Sequence, residues 1–285
     1  KALEASKAWS KAEMIAPKQF REEISPYFNA NPKKYISALV SEDCWQATPG
    51  KVVDLVRNLG IAAGGTVMED CRVLEACREG KYTSVLVQTH DKKYVEYRTE
   101  HFVNALGSGA GKLCDSMGID AGLYPVRHQA FITRRLPMLG KHGTNLDMLI
   151  DRQDYKGFSA VYGQQIAYTG QIIGCASPKL DAMRIDKNLK VNTKAFLEIV
   201  SEMFSEWIPD LAGVGIQAVW AGYYTEPRYI VDPELGLFVG MRGHGFMLSQ
   251  YIARMYVDKL LGRPVPEYFE KLKLNGPGLS EKAFK

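Results

Sequence analysis

Apolar residues recur at helical spacing in three stretches of this chain. Val52, Leu55, Val56 and Leu59 fall on one face behind Thr48, an N-cap, and Pro49 at the first helical position, which predicts a helix packed on a sheet. Phe196, Ile199, Val200 and Met203 repeat in the same way behind Asn192 as cap, and that helix ends before Pro209. A last helix runs from about Gly245 to Leu261, with Leu248, Tyr251, Ile252 and Met255 inward and Gly262 just past its end. Near the start, Ala2 to Ile15 and Lys18 to Ser25 read as two short helices split by Pro17 and closed by Pro26, because proline stops a helix at the preceding residue.

Between these helices the pattern shortens to that of strands. After Gly64 and Gly65, the stretches Thr66 to Val73, Tyr82 to Thr89 and Tyr94 to Arg98 predict a small β-meander. His101 to Leu106 reads as a short apolar strand that empties into Gly107, Ser108, Gly109, Ala110 and Gly111 before a helical stretch. Phe131 to Thr133, Met148 to Asp151, Phe158 to Tyr162 and Gln171 to Cys175 imply a second sheet, and strands return at Gly215 to Tyr224 and Leu237 to Val239. The chain is therefore α/β in the broad sense (α+β), without internal repeats.

Composition narrows the possible partners. With 46% hydrophobic and 24% charged residues, 285 residues can bury a substantial core as one or two domains. The net charge of +4 is small and its basic residues are scattered, which argues against nucleic acid. Cys44, Cys71, Cys77, Cys114 and Cys175 form no CxxC pair and no metal-like spacing with His, so they read as packing in a reduced, cytoplasmic chain with no metal. No apolar run approaches the ~20 residues that span a bilayer.

Two glycine-rich turns carry the candidate chemistry. Gly107-Ser-Gly-Ala-Gly-Lys fails the phosphate-loop pattern, which needs Gly at Leu106 and Ser or Thr at Leu113, and fails the dinucleotide pattern at Lys112. What remains is a strand that stops at small residues before a helix, so that backbone N–H groups can face a ligand; a tight structural turn is the equal alternative. The second turn, Gly240-Met-Arg-Gly-His-Gly-Phe, lies between a predicted strand and the last helix, whose positive end favours an anionic group.

Four separated blocks resemble the glycine oxidase, sarcosine oxidase and D-amino-acid oxidase family, in that family's order. The capped helix with Gly64 to Val73 resembles its helix and strand ending in a valine at the adenine end of FAD. Phe102-Val-Asn-Ala-Leu-Gly-Ser-Gly-Ala is similar to V-V-N-A-A-G-A-W-S, a turn close to the cofactor. Tyr124-Pro-Val-Arg-His-Gln resembles the P-V-R-G-Q entry to the substrate-domain sheet, with His128 in place of glycine. Trp220-Ala-Gly-Tyr-Tyr-Thr-Glu through Gly243-His-Gly-Phe-Met-Leu resembles W-x-G-x-x-x-x-T-P-D followed by G-x-S-G-H-G-F.

The resemblance implies an incomplete FAD-binding Rossmann-like domain (residues 1–122 and 213–285) and a mixed or antiparallel-sheet substrate domain (123–212). It places Val73, Ala105, Gly107, Ser108, Gly240, Met241, Arg242, Gly243, His244, Gly245 and Phe246 at the FAD, where fixed donors tune the flavin. The implied reaction passes a hydride from the carbon beside an amine nitrogen to FAD and leaves an imine. Tyr223 and Tyr224 are expected beside the flavin, with Arg242 or Arg228 holding a substrate carboxylate. Ile166 to Ala176 lacks the lysine that assists oxygen in sarcosine oxidase-like members, and Met247 stands where another lysine often follows. Both departures favour a dehydrogenase, with an electron acceptor protein or quinone, over an oxidase.

The GxGxxG unit that opens family members is missing before Ile36, so an amino-terminal segment or a second subunit is expected to supply it. Two other readings share the fold: a partner-dependent or non-catalytic subunit, and a 2-hydroxyacid or glycerol-3-phosphate dehydrogenase.

Overall fold

The computed structural model describes residues 12–24, 28–29, 33, 35, 37–41, 45–140, 145–151, 157–166, 169–178, 189, 191 and 193–278. In chain order the elements are β1 (Ala12–Ile15), β2 (Ala38–Ser41), α1 (Pro49–Ala62), β3 (Arg72–Glu79), β4 (Tyr82–Gln88), β5 (Tyr94–Thr99), α2 (Ala110–Ser116) and β6 (Tyr124–Thr133). They continue as β7 (Leu149–Asp151), β8 (Phe158–Ile166), β9 (Gln171–Pro178), α3 (Thr193–Trp207), β10 (Ile216–Glu226), β11 (Ile230–Asp232), β12 (Leu237–Val239) and α4 (Gly245–Leu260). The chain divides into two compact units: residues 1–44 with 126–223, and residues 45–125 with 224–285.

Unit 1 is built on a five-stranded sheet in the order β10-β6-β9-β8-β7, with antiparallel pairing of β6 to β9, β9 to β8 and β8 to β7. Opposite strand direction is what short connections allow. Phe131 pairs with Gly174, and a Cβ at that glycine would lie 2.5 Å from the Phe131 ring, so the bare backbone lets the ring fold across the neighbouring strand. The apolar stripe of α3 (Phe196, Ile199, Val200, Met203) is buried in the same core as Phe131, as its spacing predicts. The predicted cap of that helix, Asn192, lies outside the described residues.

The amino-terminal stretch corrects the sequence reading. Ala12–Ile15 is a strand paired antiparallel with Ala38–Ser41, not the end of a helix; Ala2 to Lys11 lie outside the described residues. Burial of Ile15 and Phe20 in the unit 1 core rewards this pairing beyond any local helical preference. The second predicted helix is present as a helical turn over Pro17–Ile24, and Ser25 is outside the described residues. The buried Asp151 carboxylate accepts the Tyr35 hydroxyl at 3.0 Å and the Trp207 indole N–H at 2.9 Å, which gives a charge on β7 its hydrogen-bond partners.

Unit 2 holds the three-stranded antiparallel meander β3-β4-β5, on which α2 packs through Leu113 against Ala76, Val85 and Val87. The first strand starts at Arg72, so most of the predicted Thr66 to Val73 strand is irregular; Asp70, at φ 53°, holds a left-handed backbone that no strand tolerates. The predicted strand at His101 to Leu106 is reduced to one parallel bridge, Asn104 to Leu237. In α4, Ile252, Met255 and Tyr256 pack on Tyr229, Val231 and Phe269. Tyr251, expected inward, is 56% exposed and its hydroxyl meets that of Tyr268 at 2.7 Å; it sits about 100° round the helix from Ile252, on the flank of the buried stripe.

The four described cysteines also divide. Cys114 and Cys175 are buried as expected, whereas Cys77 is exposed on β3, and Cys44 lies outside the described residues. No helix among the described residues is long and apolar enough to cross a membrane.

Candidate functional site

The two glycine-rich turns start from adjacent stretches of chain joined by one parallel bridge. Asn104 donates its backbone N–H to Gly236 O at 2.8 Å and accepts from Phe238 N at 3.0 Å, a parallel arrangement. Parallel strands end on the same side, so the chain leaves Asn104 into Ala105–Ala110 and leaves Val239 into Gly240–Gly245 at one end of the pair. Carboxyl ends of adjacent parallel strands are where open α/β sheets place ligands.

Asn104 also shapes the first turn. Its side chain is buried; Nδ2 donates to Ala110 O at 3.0 Å and Oδ1 accepts from Leu106 N at 3.2 Å. Ala105, Gly107 and Ser108 are left exposed along the turn. Asn104 is absent from the sequence-expected contact residues, although a polar residue inside the apolar run Phe102-Val-Asn-Ala-Leu was a usable signal.

The second turn is locked against the end of β10 and the residues after it. Gly240 has φ 71°, and a side chain there would run into the Arg228 carbonyl. Gly243 lies flat on Tyr224: a Cβ would come within 2.7 Å of the ring. Between them Arg242 holds φ 50°, a conformation that costs a non-glycine residue about 1–2 kcal/mol and persists only where its surroundings fix it. Here the Arg242 Nε–H meets Glu226 Oε2 at 2.6 Å, with both side chains four-fifths buried or more. His244 Nδ1 lies 2.5 Å from the Tyr229 hydroxyl. Glu226 and Tyr229 are further residues that sequence reading missed, since spacings of 16 and 15 residues carry no periodic signal.

These contacts bring Tyr224, Gly240, Arg242, Gly243 and His244 together. Tyr223, next to Tyr224 in a strand, points to the opposite face of β10. Arg228 donates to the carbonyls of Leu274 and Gly276. Val73 is half-buried on β3, packed with the cluster around Leu113. The head of α4 follows directly on a 3-10 turn over Arg242–His244 and has no side-chain cap, so the positive end of the helix faces the stretch that holds Met241 and Phe246 and favours an anionic partner there. Bare glycine backbone, the positive end of a helix and an adjacent tyrosine ring suit the electron-rich edge of a flavin.

Comparison with known proteins gives the class. The family model described as FAD dependent oxidoreductase (DAO) matches residues 1–259, and the chain belongs to that family. Its cofactor is FAD. No curated protein matches the sequence. Among solved structures, L-proline dehydrogenase from P. horikoshii is similar over 94% of this chain and 69% of its own, at TM-score 0.76 and 24% identity. Glycine oxidase from Geobacillus kaustophilus covers 95% of this chain and 68% of its own, at TM-score 0.72 and 16% identity. The fructosamine oxidase Amadoriase II from Aspergillus fumigatus reaches TM-score 0.66 at 17% identity, over 95% of this chain and 68% of its own.

Proposed function

We propose that this chain takes part in the flavin-dependent oxidation of an amine or amino acid at its C–N bond, with an acceptor other than oxygen. The observation that carries this reading is the pair of glycine turns leaving the same side of the parallel Asn104–Leu237 bridge, one of them at the head of α4. Bound FAD supplies the two-electron acceptor. Gly240, Met241, Gly243, Gly245 and Phe246 would hold it from the second turn, and Ala105, Gly107 and Ser108 from the first. Tyr224 orients the substrate from beside Gly243.

Arg242 has two tasks in this reading. Its Nε–H holds Glu226, and its outer nitrogens meet the substrate carboxylate; Arg228, committed to backbone carbonyls, does not compete for that role. Residues 123–212 form the substrate domain in this reading. The names of the similar structures, a proline dehydrogenase, a glycine oxidase and a fructosamine oxidase, support a C–N substrate over a hydroxy acid.

The test is anaerobic titration of the flavin-loaded protein with amines, amino acids and 2-hydroxy acids. Bleaching by an amino acid, with reoxidation by a quinone faster than by air, is the expected result. Bleaching by hydroxy acids alone would remove the C–N assignment.

A further inference from the structure

The stretch after β10 grips the second turn at both ends. The Arg228 carbonyl blocks any side chain on Gly240, and the next residue, Tyr229, brings its hydroxyl to 2.5 Å from His244 Nδ1. Both residues are themselves held. The Arg228 guanidinium donates to the carbonyls of Leu274 and Gly276, and the Tyr229 ring is buried among Val231, Ile252, Met255 and Phe269. Ile252 and Met255 belong to α4, so the tyrosine that meets the residue before Gly245 is wedged against the body of the same helix.

His244 differs from its neighbours in what it can offer. A Cβ on Gly243 would lie 2.7 Å from the Tyr224 ring, and one on Gly245 would lie 2.9 Å from the Met241 Cβ, so side chains are excluded on either side of it. Any side-chain chemistry of residues 243–245 therefore belongs to His244. Its charge state follows from its place. The positive end of α4 disfavours a second proton on the ring, and the Arg242 guanidinium two residues earlier acts the same way, weakened by its partner Glu226. A neutral imidazole carries one proton, and the hydrogen bond at one nitrogen decides which of the two holds it. A phenol donates strongly and accepts weakly, because its lone pair is shared with the ring, whereas a bare imidazole nitrogen is a good acceptor.

We propose that Tyr229 is a positioning residue: its hydroxyl donates to His244 Nδ1, keeps the ring proton on Nε2, and so gives the second turn a fixed N–H donor for the electron-rich edge of a bound flavin. The proposal rests on the functional reading only for the destination of that donor. Tyr229 touches neither substrate nor cofactor in this scheme and acts through His244.

The test has two arms. In the first, the purified protein carries isotope-labelled histidine, NMR reads the protonation of each ring nitrogen, and the His244 signals are assigned by their loss in His244→Ala. At about pH 8.5, above the ordinary imidazole range, the proton is expected on Nε2 and not on Nδ1. Tyr229→Phe keeps the ring and its packing, and is expected to lower the ratio of the two tautomers roughly fivefold, the worth of one hydrogen bond. A proton on Nδ1 in the parent protein, or the same ratio in Tyr229→Phe, overturns the proposal. In the second arm, Tyr229→Phe in the flavin-loaded protein is expected to slow flavin reduction by amine about tenfold with KM unchanged, less than the loss of a donor itself would cost. In a His244→Ala background the same substitution is expected to do nothing further; an equal loss in both backgrounds overturns the positioning role. The two arms fail separately. A protein that oxidises no amine yet holds the proton on Nε2 loses the functional reading and keeps the tyrosine-set tautomer, whereas an amine-oxidising protein with the proton on Nδ1 loses the role of Tyr229 alone.

Discussion

Units 1 and 2 are nearly equal in length, yet they bury their apolar residues differently. Unit 1 gathers Phe131, Phe196, Met203, Trp207 and the residues around them into one continuous core. Unit 2 has three small clusters, around Tyr229 and Ile252, around Ala110 and Ile230, and around Ala76 and Val85, while α1 and the first turn of α4 show apolar side chains to solvent. Burial is what offsets the entropy of ordering a chain, so the contrast teaches that the candidate site sits in the unit less able to hold itself together.

Four measurements test that contrast. Phe131→Ala in unit 1 is expected to cost about 3–5 kcal/mol, read as a fall in the midpoint of urea unfolding, because a fully buried ring packed on Phe204 at 5.7 Å leaves a cavity behind. A loss below about 1 kcal/mol would mean that the unit 1 core is not continuous.

Thiol labelling comes next. Burial pushes the Cys175 thiol up to about 11, against about 8.5 for a free thiol, so its neutral form is favoured by the fold below the ordinary value and that contribution is lost as pH rises toward 11. At pH 8.5 iodoacetamide should label exposed Cys77 roughly a hundredfold faster than Cys175, measured by mass spectrometry. Comparable rates would show that unit 1 opens readily enough to expose Cys175.

Removing the Glu226 carboxylate (Glu226→Ala) is expected to cost about 1.5–3 kcal/mol and to release Arg242 from its left-handed backbone, seen as a raised substrate KM with a shifted flavin spectrum. An unchanged KM would take Arg242 out of the substrate role. Smallest of all, Leu59→Lys in the isolated chain should change unfolding stability by less than about 0.5 kcal/mol, since the side chain has nothing to lose there. A larger destabilisation would show that α1 already has a cover.

Periodic features were legible in the sequence and paired ones were not. The 3.6-residue repeats of α3 and α4 and the turn between β4 and β5 announce themselves within a dozen residues. Ala12–Ile15 was misread because its pairing with Ala38–Ser41 is a tertiary event that no local window contains. The same holds at the site. Gly240 and Gly243 stood out by residue type, but the reasons they must be glycine, the Arg228 carbonyl and the Tyr224 ring, lie in another stretch of chain. Asn104 was visible as a polar intruder without its bonding pattern.

That asparagine couples two rims through one residue. Its main chain is bonded to the strand that launches the second turn, and its carboxamide ties down the first. Aspartate could accept from Leu106 yet would set a carboxylate oxygen against the Ala110 carbonyl, and leucine could do neither. Whatever lies across both turns therefore rests on a single stiff cradle whose two sides move together.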